Sequence, residues 1–303
     1  MIRRFAQVDV FASEPISGNP VAVVVDPDGI SNEPDAVGIS DEPDAAGISD
    51  QPDAAGISDD QMAAFARWTN LSETTFVLPP THPSADYRLR IFTPGSELPF
   101  AGHPTLGSAH AWLESGGRPA GEFIVQECGV GLVRIRRDGT RLAFAAPSLL
   151  RSGPVDEALR DEVRAALGLA PEHVLAAEWV ANGPQWMALR LDSAQRVLDV
   201  RPDFAALGDH VVGLVGAYQA GGEVAFEVRA FAPGDGVAED PVTGSLNAGL
   251  AVWLRRDGLA PASYVAAQGT VLGRAGRVHV VDDGTDIWVG GQSTTVITGT
   301  VTL

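Results

Sequence analysis

Three titratable side chains stand where their neighbours could turn them to chemistry. Glu73 lies in Asn70-Leu-Ser-Glu-Thr-Thr-Phe76, just ahead of an apolar run; His103 lies in Gly102-His-Pro-Thr105; Asp240 opens Asp240-Pro-Val-Thr-Gly-Ser245. A carboxyl group in a partly dry pocket has its pKa raised toward working pH and can act as a general acid/base; the plainer reading of Glu73 is a solvated turn residue. His103 is either a helix-capping residue or a donor to a substrate carbonyl or carboxylate that can also pass a proton. Asp240 and Ser245 read as helix caps. They also read as a site in which Asp240 pairs with His103 or binds an amine, while Gly244 and Ser245 offer N–H and hydroxyl donors to a carboxylate. Glu97 and Glu239 read as surface or structural acids.

These residues fall in two stretches built alike. Arg90-Ile-Phe-Thr-Pro-Gly is followed by Glu97-Leu-Pro-Phe-Ala-Gly-His-Pro-Thr105 and a small-residue run into Trp112-Leu113; Arg229-Ala-Phe-Ala-Pro-Gly is followed by Glu239-Asp-Pro-Val-Thr-Gly-Ser245 and a similar run into Trp253-Leu254. Each reads as strand, turn, helix, with helices expected over 105–113 and 246–256. Internal duplication accounts for the likeness and predicts that the two helix N-termini meet, where their partial positive charges add. Other strands are expected at 4–11, 20–25, 74–78, 87–92, 121–126, 131–136, 141–145, 174–180, 186–191, 211–218, 224–231, at Val271, and at 277–281, 287–289 and 296–303. Helices are expected at 59–69, 156–167 and 204–207, and a linker at 147–154.

Composition removes several classes of function. The chain of 303 residues, 45% hydrophobic and 20% charged, is long enough for one large core or two ordinary ones. Its net charge of −18 disfavours a nucleic-acid partner or an anionic membrane surface, which would require a basic face. It contains no lysine, so Schiff-base catalysis, lysine-anchored pyridoxal phosphate and a Walker A loop are all unavailable. The lone Cys128 cannot form an internal disulfide and reads as a buried small hydrophobe, which leaves no two-thiol racemase. His103 and His110 lie seven apart without further ligands, so no metal is expected. No signal-like or membrane-spanning apolar run is present, and a reducing, cytoplasmic setting is expected.

The oddest segment is a nonamer repeat, Gly29-Ile-Ser-Asn-Glu-Pro-Asp-Ala-Val and two near copies ending at Ala55. Its acidic side chains (Glu33, Asp35, Asp41, Glu42, Asp44, Asp50, Asp53) have no basic partners within it, and each copy carries a proline. It reads as a duplicated acidic surface loop at 29–55; the glycine pattern of calcium-binding nonamers is missing.

Taken together, Gly18-Asn-Pro20, Asn70-Leu-Ser-Glu-Thr74, Phe92-Thr-Pro94, Pro99-Phe-Ala-Gly-His-Pro-Thr105, Asp240-Pro-Val-Thr-Gly-Ser245, Gln268-Gly269 and Gly273-Arg274 resemble the PhzF family of phenazine-biosynthesis-like proteins. The resemblance spans nearly the whole chain. It implies an α/β (α+β) fold similar to diaminopimelate epimerase, with two pseudo-symmetric domains, each a mixed sheet curled around a central helix, and a site between them. The domains would be 1–146 completed by 292–303, with 29–55 as an insertion, and 147–291. It further implies a cofactor-independent isomerase that moves a proton between carbons of a dihydro-hydroxyanthranilate-like carboxylate. Glu73, His103 and Asp240 would be catalytic, and Asn19, Gly102, Thr105, Gly244 and Ser245 would bind substrate. A homodimer is implied as well. The alternatives are an epimerase or racemase on another small carboxylate or amino acid, and a non-catalytic small-molecule-binding protein on the same scaffold.

Overall fold

In the computed structural model, which describes residues 1–26, 30 and 56–303, two long helices, Gly102–Glu114 and Gly244–Arg256, are each wrapped by strands. Both are buried on nearly every face, which requires small or apolar residues all round rather than on one stripe. Two glycines set how closely the strands approach. A Cβ on Gly107 would come within 2.4 Å of Val21 Cγ1, and one on Gly249 within 2.2 Å of the Val180 carbonyl oxygen. Trp112 and Trp253 fill the equivalent places near the helix C-termini.

The strands around the two helices repeat one crossover. Tyr87–Phe92 leads through the first helix to Ile124–Cys128 in parallel pairing, and Phe226–Ala232 leads through the second to Ser263–Gln268 in parallel pairing. Around the first helix the ladder continues through Ile2–Val10, Asn19–Val25 and Glu73–Leu78 on one side and Gly131–Asp138 and Arg141–Ala145 on the other. Around the second it includes Val174–Ala181, Met187–Leu191, Val212–Ala217 and Gly276–Asp282. The last strand, Ile287–Thr302, pairs first with Gly276–Asp282, then with Arg141–Ala145, and finally with Ile2–Val10, so one mixed sheet runs through the molecule.

The turns ahead of the two helices are clamped alike. Arg90 Nε and Nη2 donate to Glu97 at 2.8 and 2.7 Å, and Arg229 Nε and Nη2 donate to Glu239 at 2.8 Å each. Each guanidinium also lies over the phenylalanine two residues on, Phe92 at 5.1 Å and Phe231 at 4.9 Å. Glu97 and Glu239 are thus structural acids, as their positions suggested.

Four expectations change. The long helices begin at Gly102 and Gly244, earlier than 105 and 246; in the first, Pro104 sits within the first turn, where the N–H it lacks would have no intrahelical acceptor. Asp240 and Ser245 are therefore not the caps; the cap positions are Ala101 and Thr243. Val271 belongs to a short 3-10 turn, Thr270–Leu272, between Gly269 (φ 85°) and Gly273 (φ 70°), and the strand lies earlier, at Ser263–Gln268. The expected linker contains a strand, Arg151–Pro154, paired with Val174–Ala181. The helix over 59–69 is found as Asp59–Thr69, opened by a Ser58/Gln61 capping box. Apart from Ile30, the acidic nonamers lie outside the described residues. Among the described residues no helix is long and apolar enough to cross a membrane.

Candidate active site

The two long helices meet at their N-termini. A Cβ on Gly102 would fall 2.6 Å from Gly244 Cα, and one on Gly244 would fall 2.7 Å from Gly102 Cα. Only glycine allows this approach. Neither helix has a side-chain cap, so the first-turn N–H groups of Gly102, His103, Gly244 and Ser245 point their partial positive charge at a common space. That space is a small cavity of about 40 Å³, lined among others by Glu73, Gly102, His103, Asp240, Gly244 and Ser245.

Glu73 is the first residue of Glu73–Leu78, aligned in parallel with Val21, and this register delivers it to the cavity wall. Its Oε2 lies 3.2 Å from His103 Nε2. His103 is buried, and burial drives its imidazole pKa down to about 3 against the opposing effect of a hydrogen bond to the Pro20 backbone. The ring is neutral at any ordinary pH. With its single N–H on Nε2 the ring faces the Glu73 carboxylate at contact distance, and with it on Nδ1 the bare Nε2 faces a protonated Glu73. The pair can hold one proton in either place.

Asp240 comes to the same cavity from the second half of the chain. Its Oδ1 accepts from Asn19 Nδ2 at 2.7 Å and its Oδ2 from Thr243 Oγ1 at 2.5 Å. Burial lifts its carboxyl to about 6; the bonds from Thr243 and Asn19 oppose the rise, and the charge of Glu239 adds to it. Asn19 Nδ2 also donates to the Val242 carbonyl at 2.9 Å and lies 3.2 Å from His103 Nδ1. Those bonds orient the amide, since a flipped one would set its oxygen against two acceptors. Asn19 thereby ties His103 to Asp240 without lining the cavity itself.

Ser245 Oγ accepts from Trp186 Nε1 at 3.0 Å at the cavity edge. Thr105 lies outside the cavity, and its hydroxyl accepts from Gln126 Nε2 at 3.0 Å, so its place is structural. The structure thus brings Glu73, Gly102, His103, Asp240, Gly244 and Ser245 together, with Asn19 behind them and Thr105 apart.

Four residues that the motif reading left without a role support the site. Gln268 Nε2 donates to the Asp240 carbonyl at 3.1 Å and to Thr243 Oγ1 at 2.8 Å, and its Oε1 accepts from the Thr243 N–H at 3.0 Å and from Asn247 Nδ2 at 2.9 Å. It fixes the whole 240–243 turn. Trp186 bonds the Ser245 hydroxyl, and Asn182 Nδ2 donates to the Ser245 carbonyl at 3.0 Å. Gln268 stood in a recognisable Gln-Gly pair, but Asn247, Trp186 and Asn182 carried no sequence signal beyond their polar atoms in otherwise apolar stretches.

Comparison with known proteins places the chain in a family. A family model described as phenazine biosynthesis-like protein, PhzC-PhzF, matches residues 8–299. The chain is 36% identical to a Schizosaccharomyces pombe protein named antisense-enhancing sequence 1, with 97% of each chain covered. It is 34% identical to the trans-2,3-dihydro-3-hydroxyanthranilate isomerase of Pseudomonas aeruginosa over 93% of this chain and 91% of the relative. A crystal structure of a PhzF-family protein from Enterococcus faecalis superposes with a TM-score of 0.73 at 25% identity, covering 100% of both chains. The architecture is the α+β, diaminopimelate epimerase-like class expected from the motifs. By family model, sequence and fold, the chain belongs to the PhzC-PhzF family of phenazine biosynthesis-like proteins.

Proposed function

We propose that this isomerase moves a proton between two carbons of a small carboxylated ring, of the dihydro-hydroxyanthranilate kind named for its Pseudomonas relatives, with Glu73 as the single acid/base. The observation that carries the reading is the 3.2 Å approach of Glu73 Oε2 to His103 Nε2 on the wall of a cavity faced by two uncapped helix N-termini. The substrate carboxylate lies against the N–H groups of Gly102, His103, Gly244 and Ser245, which fix its orientation. The Glu73 carboxylate takes a proton from one ring carbon, and the C–H electron pair enters the conjugated system. The π electrons shift, and Glu73 returns the proton to a second carbon on the same face. Protons and electrons balance within the substrate, so the cycle consumes no cofactor. His103 holds Glu73 in place and shares its proton, while Asp240 and Ser245 bind or polarise the ring.

One observation favours a second reading, an epimerase: Asp240, held at about 6, is a further acid/base group on the same cavity. Turnover in D₂O followed by NMR separates the two. Hydrogen appearing at a different carbon supports the isomerase; deuterium at the original carbon with inversion supports the epimerase and defeats the leading proposal. We propose further that 1–146 with 292–303 forms one half of the molecule and 147–291 the other. The return of the last strand to Ile2–Val10 supports that division.

A further inference from the structure

We propose that the natural substrate carries an uncharged, apolar extension on its carboxylated, reacting part, and that an outer chamber between the two halves receives it. The proposal rests on the cleft reading above and names the substrate class more closely. A chamber of about 520 Å³ adjoins the inner cavity: Ser72 and Val237 line both. The inner cavity, at about 40 Å³, is tight around the reacting atoms, so the larger volume lies on the side that opens outward.

The outer wall is mostly apolar, with Asn70 and Ser72 as its uncharged polar side chains. Leu71 and Pro94 come from the first half of the chain, and Phe204, Val237, Pro241 and Leu272 from the second. Among the described residues the one charged residue on the wall is Glu239, and both its carboxylate oxygens are taken by Arg229 Nε and Nη2. A charged extension would find no counterion there. Phe204 and Leu272, 37% and 41% exposed, share this wall with Leu71, Pro94, Val237 and Pro241, so their apolar surface is contiguous. Both are held in place. Phe204 starts the short helix Phe204–Leu207, capped by Asp203, with its ring edge-on to Phe231 at 6.0 Å. Leu272 sits in the 3-10 turn between two left-handed glycines. A preformed apolar wall continuous with a reacting centre fits a specificity pocket.

The test is calorimetric binding of 3-hydroxyanthranilate and its 4-, 5- and 6-phenyl derivatives to the wild type, Leu272→Asp and Phe204→Ser. Leu272 is the cleaner position because its side chain is exposed, while Phe204→Ser provides a second wall. At least one phenyl derivative should bind the wild type about ten-fold or more tighter than the parent. Leu272→Asp and Phe204→Ser should each remove most of that gain while leaving parent affinity within about two-fold. If the parent binds and no derivative gains, or the gain survives both substitutions, the chamber proposal is overturned and the cleft reading stands. If only phenyl derivatives bind and the substitutions abolish it, the chamber stands and the ring identity is wrong. If none binds, both fail.

Discussion

Asn19 and Asp240, 221 residues apart in the chain, are joined by a 2.7 Å hydrogen bond in which the amide donates to a buried carboxylate. The same nitrogen bonds the Val242 carbonyl and abuts His103, so one side chain locks the two site loops together. Replacing Asn19 with alanine leaves a buried carboxylate oxygen without its donor. Chemical denaturation at pH 7 should show a loss of about 2–3 kcal/mol. The loss should be smaller at pH 5, where Asp240 is protonated. An equal loss at both pH values would mean that the bond to Asp240 is not what Asn19 contributes.

Asp240 also makes stability depend on pH in an unusual direction. Its folded pKa of about 6 lies above its ordinary 3.8, so between these values the native state holds a proton that the unfolded chain has released. Stability from this group therefore falls as pH rises from about 4 to 6 and is level beyond, a change on the order of 2–3 kcal/mol. Asp240→Asn keeps an acceptor for Asn19 and removes the titration. The difference in unfolding free energy between wild type and variant, measured across pH 4–7, should move toward the variant as pH rises. A flat difference would contradict the raised pKa.

The helix contact gives a third expectation. Gly244→Ala would push a methyl group against backbone, with Gly102 Cα at 2.7 Å and the His103 nitrogen at 3.0 Å, and neither can swing aside as a side chain would. Thermal unfolding should report a destabilisation of about 1–3 kcal/mol, with a larger loss in carboxylate affinity as the two N-termini are forced apart. An alanine variant with wild-type stability and affinity would show that the two helices do not meet as described.

The twin arginine clamps should be unequal. Arg229 and Glu239 are 3% and 10% exposed, whereas Arg90 and Glu97 are 17% and 42% exposed. Arg229→Met strands a buried carboxylate and should cost about 3–5 kcal/mol. Arg90→Met removes a pair open to water and should cost about 1 kcal/mol or less from that pair. Equal losses in denaturant titrations would refute burial as the deciding difference.

Much of this arrangement was legible in the chain because duplication wrote it twice. The paired Arg-to-Trp-Leu stretches gave the two central helices and the meeting of their N-termini, and Gly102 and Gly244 sit at that contact. Single residues were harder to place. Thr105 shares a motif with His103 but lies deeper in the same helix, where its hydroxyl meets Gln126 instead of the cavity. Gln268 bonds a turn 25 residues before it, and Asn247 bonds Gln268, 21 residues after it, relations no local pattern encodes. The Thr270–Leu272 turn imitates a strand because Val and Leu are common to both, and only the left-handed glycines at either end mark it. Likewise the start of each long helix was hidden because the capping positions, Ala101 and Thr243, make no side-chain cap bond.

The central claim is that the proton moves on Glu73, and replacing that residue with glutamine tests it most directly. Glutamine keeps the shape of the side chain and can still bond His103, but it cannot carry the proton. With trans-2,3-dihydro-3-hydroxyanthranilate in D₂O followed by NMR, the wild type should place hydrogen at a new carbon, as protium where Glu73 returns the proton it took and as deuterium where that proton has exchanged with solvent. Glu73→Gln should lose turnover by about 10²–10⁴-fold or more while binding 3-hydroxyanthranilate within a few-fold of wild type. A Glu73→Gln protein that forms the isomerised product at the wild-type rate would contradict the account.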